Sequence, residues 1–289
     1  MLVGSFLVAK ELKIPFYVYM HDLWEDNLSQ FFKKRFAKYW EPKILLNARR
    51  LICCTEKAQK HYKIKYGIDS EIIPHSIPDK EIDNYLPKAE YKRNDTVTIL
   101  YSGSISYIMN QDAFKMMSQA LDILPDNYKL LWLPITPIDR SVLKKNGITS
   151  KKIVQKHVDR KQLKKEARNA DILLSPLSHK NCCLDEVMTV FSNKLLGYLV
   201  SGTPILVFAP RGCYHNESAK AGGWGHVVEN DSAEELAQAI LIMTSNNFNK
   251  TEMVDYAFKE ANKRRASISA NIIEVWVNED AQLKISKIE

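Results

Sequence analysis

Residues 191–210 constrain the fold more than any other part of the chain. They read FSNKLLGYLVSGTPILVFAP. The apolar residues of the first half recur at three- and four-residue spacing, which predicts a short helix with one face packed on a core. Gly202 then ends the helix, and the run ILVF has no polar alternation, as is typical of a parallel strand covered on both faces. The stretch therefore predicts an α/β fold built on a parallel sheet.

The start of this helix has a pattern suited to anion binding. Ser192 and Asn193 are good N-cap residues, and Lys194 follows them in the first turn. Free backbone N–H groups and the positive end of the helix dipole favour a negative charge at such a terminus, and Lys194 adds a full positive charge. We interpret the pattern as a site for the phosphates of a nucleotide. The same residues also fit an ordinary capped helix in an α/β domain.

Strands and helices alternate along the chain, which predicts a doubly wound parallel sheet in its second part. Strands are predicted at residues 16–20, 50–55, 71–78, 96–101, 129–134, 153–158, 171–176, 205–208 and 226–228. Helices are predicted at 4–12, 31–50, 56–66, 111–124, 160–169 and 233–243, with one long helix or two over 251–278. The polar residues 79–95 have no pattern and predict a linker. We therefore expect a partial N-terminal domain at 1–90, a Rossmann-like domain at 96–250, and a helical segment at 251–289 that packs back toward the N-terminal domain.

Polar residues follow two of the predicted strands. His21 and Asp22 come directly after residues 16–20, and Gly103 and Ser104 come shortly after residues 96–101. Ligands of open parallel sheets gather beyond the carboxyl ends of the strands, and a histidine can act as acid, base or hydrogen-bond donor near neutral pH. A histidine at a strand end can equally be a capping or packing residue. The single glycine is a weaker signal than the three-glycine dinucleotide fingerprint.

The composition excludes several classes of protein. The chain has 289 residues, of which 45% are hydrophobic and 26% are charged, as expected of a globular protein with an ample core. The apolar run at 2–9 is shorter than a membrane span of roughly 20 residues and lacks a basic leader, so we expect a cytoplasmic location. The five cysteines include two adjacent pairs, which do not match the spacing of zinc sites. We expect reduced thiols and no metal.

The positive charge is concentrated in one segment. Residues 31–50, from Phe31 to Arg50, carry seven basic side chains against one acidic side chain, with aromatic residues between them. This pattern predicts a helix that lies on an anionic membrane face, at the inner membrane surface, or on an acidic partner. It also fits a solvated helix whose aromatic residues pack inward. No nucleic-acid-binding motif accompanies the charge, so we expect no nucleic-acid partner.

Several segments, taken together, resemble a known family. In chain order they are KELKIPFYVYMHDLWE, ARRLICCTEKAQKHYKIKYG with IIPHSIP, ILYSGSI, HVDRKQLKKEARNADILLSPLS and FSNKLLGYLVSGTPILVFAP. The ordered set is similar to the retaining nucleotide-sugar glycosyltransferases of the GT-B fold, in particular glycosyltransferase family 4. The resemblance covers most of residues 5–245. It implies two Rossmann-like domains with parallel sheets, the N-terminal one incomplete, which face each other across a cleft.

The resemblance also implies an activity and a site. The activity is transfer of a sugar, with retention, from a UDP- or GDP-type donor to a glycan or lipid-linked acceptor in surface polysaccharide synthesis. His21 would lie near the transferred sugar, with Asp22 beside it, as the catalytic residues. The donor would be bound by residues of the second domain: Gly103, Ser104, His157, Val158, Phe191, Ser192, Asn193 and Lys194. No metal cofactor is implied if the helix start and Lys194 supply the positive charge.

The sequence departs from the family pattern at several positions. Gly197 stands where the family usually has the glutamate that holds the ribose, and Thr189 stands at the other family glutamate, for which Asp185 or Glu186 is a partial substitute. The turn after Gly103 lacks the usual arginine and lysine. About 80–100 residues of a full N-terminal domain would precede residue 1. Since a partial sheet exposes an edge strand, we expect a homo- or hetero-oligomer formed through the first 90 residues.

Two functions stay open on the sequence alone. The first is an active glycosyltransferase, which His21 and Lys194 favour. The second is a catalytically inactive nucleotide-binding or partner-binding subunit of a split glycosyltransferase, which Gly197 favours. An NAD-linked dehydrogenase is disfavoured because no three-glycine turn with a downstream acidic residue is present. A hydrolase with two catalytic carboxylates is disfavoured because no suitable pair is visible.

Overall fold

The structure is a computed structural model of the chain. It describes residues 2–28, 30–88, 91, 95–106, 109–180 and 184–285, with backbone only for residue 160 and for residues 283–285. Two parallel sheets organise these residues. Helices pack on the faces of both sheets, which is the α/β architecture that the alternation of strands and helices predicts.

The first sheet has three strands in the order β1-β2-β3. They are β1 (Tyr17–Met20), β2 (Arg50–Cys53) and β3 (Glu71–Ile72). All pairs are parallel, with Tyr17 opposite Arg50 and Ile52 opposite Glu71. The crossovers and the following segment contain α1 (Leu2–Glu11), α2 (Phe31–Leu45), α3 (Glu56–Tyr66) and α4 (Asp79–Asp83). A small core of about ten buried residues, Ile44 and Tyr62 among them, lies between the sheet and these helices.

The second sheet has six parallel strands in the order β6-β5-β4-β7-β8-β9. They are β4 (Val97–Ser102), β5 (Tyr128–Leu133), β6 (Ile153–Gln155), β7 (Ile172–Pro176), β8 (Ile205–Phe208) and β9 (His226–Val228). The chain winds outward from β4 in one direction and then returns to wind from β7 in the other, which is the doubly wound Rossmann order. Its reversal point lies between β4 and β7, and ligands of such sheets generally bind outside the carboxyl ends of the strands at this point.

Nine helices surround the second sheet or follow it in the described part of the chain. They are α5 (Gln111–Ile123), α6 (Arg140–Lys145), α7 (Arg160–Asn169), α8 (Leu184–Thr189), α9 (Lys194–Leu199), α10 (Tyr214–Gly222), α11 (Ala233–Thr244), α12 (Lys250–Asn262) and α13 (Ala266–Ile285). Every residue of β7 and β8 is buried. The apolar run at 205–208 is therefore covered on both faces, as its lack of alternation predicts.

The predicted order of strands and helices agrees with the structure, but several elements differ. Helices α8 and α10 occupy segments without a predicted helix, and α6 was also unexpected. In α10 the polar residues face inward: Asn216 is buried and its amide donates to the carbonyl oxygens of Ala209 at 2.8 Å and Pro210 at 2.9 Å. A polar sequence of this kind is typical of a loop, and only the tertiary hydrogen bonds explain the helix.

The segment 79–95 connects the two sheets, and its described residues contain a helix and tertiary contacts that the predicted linker lacked. It begins with α4, and the Tyr85 ring stacks on Phe258 with 4.1 Å between centroids. The ammonium group of Lys88 donates to Thr203 Oγ1 at 2.8 Å. Residues 89, 90 and 92–94 of this segment lie outside the described part of the chain.

The sequence left open one long C-terminal helix or two, and the structure has two, α12 and α13. Helix α13 contacts the first sheet. Asp280 accepts hydrogen bonds from the Tyr17 hydroxyl at 2.5 Å and from the Arg49 guanidinium at 2.6 Å. Arg50 pairs with Glu279 at 3.0 Å. Near the start of α13, the amide of Ile77 donates to the Arg264 carbonyl at 2.7 Å. The chain thus returns to the first sheet after completing the second.

Among the described helices, none combines the length and the apolar character needed to cross a membrane. Cys53, Cys54 and Cys213 are buried free thiols. Cys182 and Cys183 lie outside the described residues, so their state stays a prediction.

Candidate functional site

The candidate site lies where the carboxyl ends of the two sheets approach each other. The segment 186–194 connects them, because it starts with Glu186 beside the loop after β1 and ends with Lys194 beside the turn after β4. The Thr55 hydroxyl, at the end of β2, donates to the Thr189 carbonyl at 2.7 Å. A small cavity of about 10 Å³ lies at this junction, with His21 and Phe191 in its lining. Its volume is enough for about one water molecule.

His21 and Asp22 lie directly beyond the end of β1, where the sequence places them. Both are exposed. His21 Nδ1 lies 3.4 Å from His75 Nδ1, and the two imidazole rings are almost parallel, with 13° between their planes. The Tyr19 ring packs against His21 with 4.3 Å between centroids. Burial lowers the pKa of His75 to about 4, so this ring is neutral at physiological pH. His21 is therefore fixed on one side and accessible on the other.

Glu186 is the buried carboxyl group of the junction. Its Oε2 accepts a hydrogen bond from the Leu23 amide at 2.7 Å. Burial and the nearby charge of Asp22 raise the pKa of Glu186 well above its ordinary value. The carboxyl group thus links the loop after β1 to α8 and stays largely protonated near neutral pH. The sequence suggested Asp185 or Glu186 only as a substitute for a family glutamate, and the structure brings Glu186 to the junction.

The turn after β4 contains Gly103 in a conformation that only glycine adopts easily. Its φ angle is +123°, and a Cβ atom there would lie 3.3 Å from the Tyr101 hydroxyl oxygen and 3.7 Å from Lys194 Cε. The indole of Trp132 donates to the Gly103 carbonyl at 2.7 Å. The Tyr101 hydroxyl donates to the Ser104 carbonyl at 2.9 Å. Two aromatic side chains thus hold the turn, in which Gly103 is partly exposed and Ser104 is exposed.

Lys194 is the cation of the site. Its ammonium group donates to Ser192 Oγ at 3.0 Å and lies 5.0 Å from the centre of the Tyr101 ring. Its side chain keeps some exposure but is surrounded by protein, and this burial lowers the pKa of Lys194 to about 8. No acidic group within salt-bridge distance of Lys194 is present among the described residues. An anionic ligand would therefore gain a charge interaction that no described carboxylate already satisfies.

The helix start differs in detail from the expectation of free amides. Asn193 is the N-cap residue, but its side chain makes no capping hydrogen bond and its backbone is already helical. The amides of Leu195 and Leu196 donate to the carbonyls of Ser192 and Asn193, at 2.9 and 3.2 Å. The Ser192 amide donates to His215 Nε2 at 3.3 Å. Because these amides are engaged and α9 has only six residues, this helix start offers an anion fewer free amides than the sequence predicts.

Phe191 supports the site from within the core. Its side chain is 1% exposed. Its ring stacks on His215, with 5.7 Å between centroids, and the Arg264 guanidinium lies 3.8 Å from its centre. Burial lowers the pKa of His215 to about 3, so the ring is neutral and its Nε2 can accept from Ser192. The Phe191 side chain thus fixes the position of the segment that carries Lys194, whereas a direct contact with a donor stays a prediction.

His157 and Val158 lie beyond β6, which ends at Gln155 rather than at residue 158. They follow the edge strand of the second sheet on its carboxyl side. His157 is exposed, and Val158 packs partly against the core. Both residues therefore lie at the carboxyl end of the sheet, where the sequence places them, and two strands away from the Gly103 turn. Their contact with a nucleotide base stays a prediction.

Gly197 lies in the middle of α9 and is exposed. A Cβ atom at this position would meet nothing within 4 Å. The residue borders a cavity of about 570 Å³ between α7, α9 and the segment after β3, with Tyr85 and Arg168 also in its lining. Close packing therefore does not explain the glycine.

Two residues of the site were missed by sequence analysis. Cys54 and His75 each follow a strand of the first sheet, as His21 does, so the strand-end rule would have found them. The short strand β3 made His75 difficult to place, because the prediction extended that strand to residue 78. The structure brings both side chains to His21.

A family model described as "Glycosyl transferases group 1" matches residues 96–246, just over half of the chain. The matched region comprises the second sheet and its helices, including Gly103 and Lys194. Comparison with curated protein sequences gave no match.

Solved structures share the fold of the whole chain. HepE from Anabaena, in complex with UDP and glucose, superposes with a TM-score of 0.71 and 14% identity, over 96% of this chain and 75% of that chain. Sucrose-phosphate synthase from Thermosynechococcus elongatus superposes with a TM-score of 0.71 and 15% identity, over 96% of this chain and 72% of that chain. An α,α-trehalose-phosphate synthase (UDP-forming) from Burkholderia vietnamiensis superposes with a TM-score of 0.67 and 10% identity, over 96% of this chain and 70% of that chain. The likeness confirms the GT-B-like fold with a three-stranded first sheet.

Proposed function

Because this chain belongs to the glycosyl transferases group 1 family, we propose that it transfers a sugar from a UDP- or GDP-type donor to a glycan or lipid-linked acceptor, with retention of the anomeric configuration. The role we propose is in surface polysaccharide synthesis. The observation that carries the proposal is the pairing of Gly103 and Lys194, a bare backbone turn and a cation without a described acidic partner, at the reversal point of the second sheet.

The donor diphosphate would bind at Lys194. Breaking the bond between the sugar and the diphosphate leaves additional negative charge on the leaving oxygen, and a positioned cation stabilises that charge in the transition state. Gly103 has no side chain, which leaves room for the Lys194 side chain to lie beside the turn. That HepE was solved with UDP and with UDP-glucose supports a uridine nucleotide as the first ligand to test.

The sugar would lie toward the first sheet, near His21 and Asp22. His21 is exposed and is positioned by its contact with His75, so its ring can donate a hydrogen bond to a sugar hydroxyl. Asp22 adds an exposed carboxylate beside it. We propose that these two residues orient the sugar and stabilise the charge that develops on it, with no metal in the donor site.

The donor proposal is tested by thermal unfolding with UDP, GDP and their sugars. A functional site raises the melting temperature by mass action, and Lys194→Ala should abolish that shift while leaving the melting temperature of the free protein nearly unchanged. The matched control is Lys151→Ala, an exposed lysine before β6 at the opposite end of the second sheet, which should keep the full shift. An undiminished shift in Lys194→Ala would refute the proposed diphosphate site.

One observation favours the alternative of an inactive nucleotide-binding or partner-binding subunit. Gly197 and Thr189 leave the chain without side-chain carboxylates at the two positions where family members usually have glutamate. Release of free UDP from UDP-sugars, measured with and without candidate acceptors, distinguishes the two. Nucleotide binding without any release, in wild type and under all acceptor conditions, would support the inactive subunit.

We also propose that α2 brings the protein to an anionic membrane that carries a lipid-linked acceptor. Three phenylalanines of this helix are 52–84% exposed, and four basic residues lie among them: Lys33, Lys34, Arg35 and Lys38. Insertion of aromatic rings and attraction of basic side chains to anionic lipids both add to binding. Co-sedimentation with vesicles should show binding to phosphatidylserine-containing vesicles, weakened by Phe32→Ser and by added salt. Equal binding to neutral vesicles would contradict the charge contribution.

A further inference from the structure

We propose that His21, Cys54 and His75 form a binding site for a zinc-type divalent cation. The three residues follow the three strands of the first sheet, β1, β2 and β3, so the site closes the carboxyl edge of that sheet. It is a different site from the diphosphate site at Lys194, although it shares His21 with the proposed sugar site: His21 Nδ1 would bind the metal, and Nε2 would remain for a sugar hydroxyl. Metal binding itself does not depend on sugar transfer. The cysteines gave no zinc signal along the sequence because the ligands come from three separate strands and meet only in the fold.

The geometry carries the inference. The two Nδ1 atoms are 3.4 Å apart, and Cys54 Sγ lies 3.9 Å from each of them. In a tetrahedral zinc site with bonds of about 2.0–2.1 Å to nitrogen and about 2.3 Å to sulfur, the ligand atoms stand roughly 3.4 Å and 3.6 Å apart. The nitrogen separation already matches, and the sulfur needs to move by a few tenths of an ångström. These three residues form the one such cluster found among the described residues.

The chemistry of the ligands selects the cation. Two imidazoles and one thiolate form a donor set that suits zinc, cobalt and copper, and that calcium and magnesium do not bind. Cys54 Sγ now donates to the Met20 carbonyl at 3.4 Å. On metal binding the thiol proton leaves to solvent, the sulfur becomes a thiolate ligand, and the two neutral imidazoles give their Nδ1 lone pairs.

The site would have a fourth position open to solvent. His75 and Cys54 are buried, but His21 is exposed, so the metal would be reachable from the cleft. Three protein ligands with one open position are the arrangement in which zinc accepts a water or another ligand. The metal would also tie together three strand ends, one of them the two-residue β3.

The test uses Co²⁺ as an optical probe and Zn²⁺ for affinity, on the full chain without nucleotide. Titration with Co²⁺ should give one equivalent per chain, with the visible bands of a tetrahedral centre and a thiolate-to-cobalt charge-transfer band in the near ultraviolet. Zn²⁺ should displace the cobalt and raise the melting temperature. Cys54→Ser should lose the charge-transfer band. It should also weaken Zn²⁺ binding by more than the roughly 10–100-fold that loss of an outer-shell partner costs.

Matched variants show whether Cys54, rather than another cysteine of the chain, provides the thiolate ligand. Cys53→Ser removes the neighbouring buried thiol, and Cys182→Ser with Cys183→Ser removes the other adjacent pair; both variants should keep one equivalent and the charge-transfer band. His75→Gln gives a second test that leaves all thiols in place and should lose the tetrahedral visible bands. The proposal is overturned if cobalt binds without a thiolate band, if the band survives Cys54→Ser, or if wild type takes up no Co²⁺ or Zn²⁺. Far-ultraviolet circular dichroism checks that each variant is folded.

Discussion

Lys194 is the residue on which the proposed donor site depends, and its environment would make nucleotide binding at that site sensitive to pH. Burial lowers the pKa of this lysine to about 8, because a charged ammonium loses solvation there. The charged form, which attracts a diphosphate, is therefore the main form below pH 8 and becomes the minor form above it. A bound diphosphate raises the pKa again, so binding and protonation favour each other.

We predict that the affinity for UDP is nearly constant up to about pH 7 and falls as the pH rises through about 8, by at most about tenfold per pH unit. Isothermal titration calorimetry over this range measures the effect. Lys194→Arg stays charged throughout and should give a flatter profile with weaker or similar affinity. An unchanged slope in Lys194→Arg would show that another group titrates.

Glu186 gives a second prediction, on stability. Because burial raises its folded-state pKa above the ordinary value of 4.5 to about 8, the folded protein prefers the protonated carboxyl group. Stability from this residue is therefore fully present below about pH 4.5 and decreases as the pH rises toward about 8. Glu186→Gln keeps a neutral acceptor for the Leu23 amide and should remove this contribution to the pH dependence.

Chemical denaturation of Glu186→Gln and Glu186→Ala between pH 5 and pH 8 distinguishes the two roles of this side chain. Glu186→Ala leaves the buried Leu23 amide without its partner and should lower the free energy of unfolding by about 1–3 kcal/mol at pH 5. Glu186→Gln should be close to wild type at pH 5 and relatively more stable at pH 8. A parallel pH dependence of wild type and Glu186→Gln would contradict the raised pKa.

At the scale of single residues, the sequence located those that follow a strand or begin a helix. His21, Gly103 and Lys194 lie where the sequence pattern placed them, because strand ends and helix starts are local features. Glu186 required the tertiary structure, because its partner Leu23 lies 163 residues away in the chain and no local pattern encodes such a contact. His75 follows a strand as His21 does, but the sequence extended that strand to residue 78.

Among the helices, α9 connects the candidate site to the core, and Gly197 lowers the stability of this helix. A glycine inside a helix costs about 0.5–1 kcal/mol relative to alanine because its unfolded backbone has more freedom. The space around the missing Cβ is empty, so nothing in the described packing requires glycine. Substitutions of Gly197 can therefore be used to measure its effect on helix stability separately from any effect on ligand binding.

We predict that Gly197→Ala and Gly197→Glu both raise the free energy of unfolding, the alanine variant by about 0.5–1 kcal/mol. If the resemblance to family 4 extends to the ribose contact, only Gly197→Glu should also tighten UDP binding. Thermal shift and calorimetry with UDP measure both effects on the same samples. Equal UDP affinity in the two variants would exclude a ribose contact at this position.

Hydrophobic periodicity predicted the long, amphipathic or fully buried helices and strands, and it failed for short polar ones. The bounds of α3 and α7 agree with the sequence, since a cap residue and a glycine or alanine mark their ends. In contrast, α10 is polar, and the hydrogen bonds of its buried His215 and Asn216 go to residues outside the helix: His215 Nε2 accepts from the Ser192 amide, and the Asn216 amide donates to the Ala209 carbonyl. Its helical structure is therefore a consequence of packing.

On the scale of the whole molecule, the doubly wound parallel sheet of the second part followed from the sequence, because alternating strands and helices allow few right-handed parallel arrangements. The arrangement of the first sheet is less constrained by the sequence, because this sheet has only three described strands. Its strand β1 pairs with β2 on one side, and the described residues place no strand on its other side. An edge of this kind, with main-chain groups unpaired, is a natural place for another chain to bind.

Helix α1 adds apolar surface to this part of the molecule. Leu7 and Val8 are 48% and 56% exposed, and Leu12 and Ile14, directly after the helix, are 63% and 47% exposed. Contiguous exposed apolar residues favour burial against a partner surface. We therefore predict that the protein self-associates through the first sheet and α1, with a second copy of the chain as the partner.

Sedimentation velocity over a range of concentrations tests this prediction. Wild type should show a concentration-dependent shift from monomer to dimer. Leu7→Lys with Leu12→Lys should shift the equilibrium toward monomer, because burying two ammonium groups in an apolar contact costs several kcal/mol.

The control Ile123→Lys changes an apolar residue on the second sheet's helix α5 that is 54% exposed, and it should associate like wild type. A monomer at all concentrations in wild type would contradict self-association, and equal weakening by the control would place the contact elsewhere. The UDP thermal shift of the monomeric variant then shows whether the proposed diphosphate site at Lys194 works without the partner.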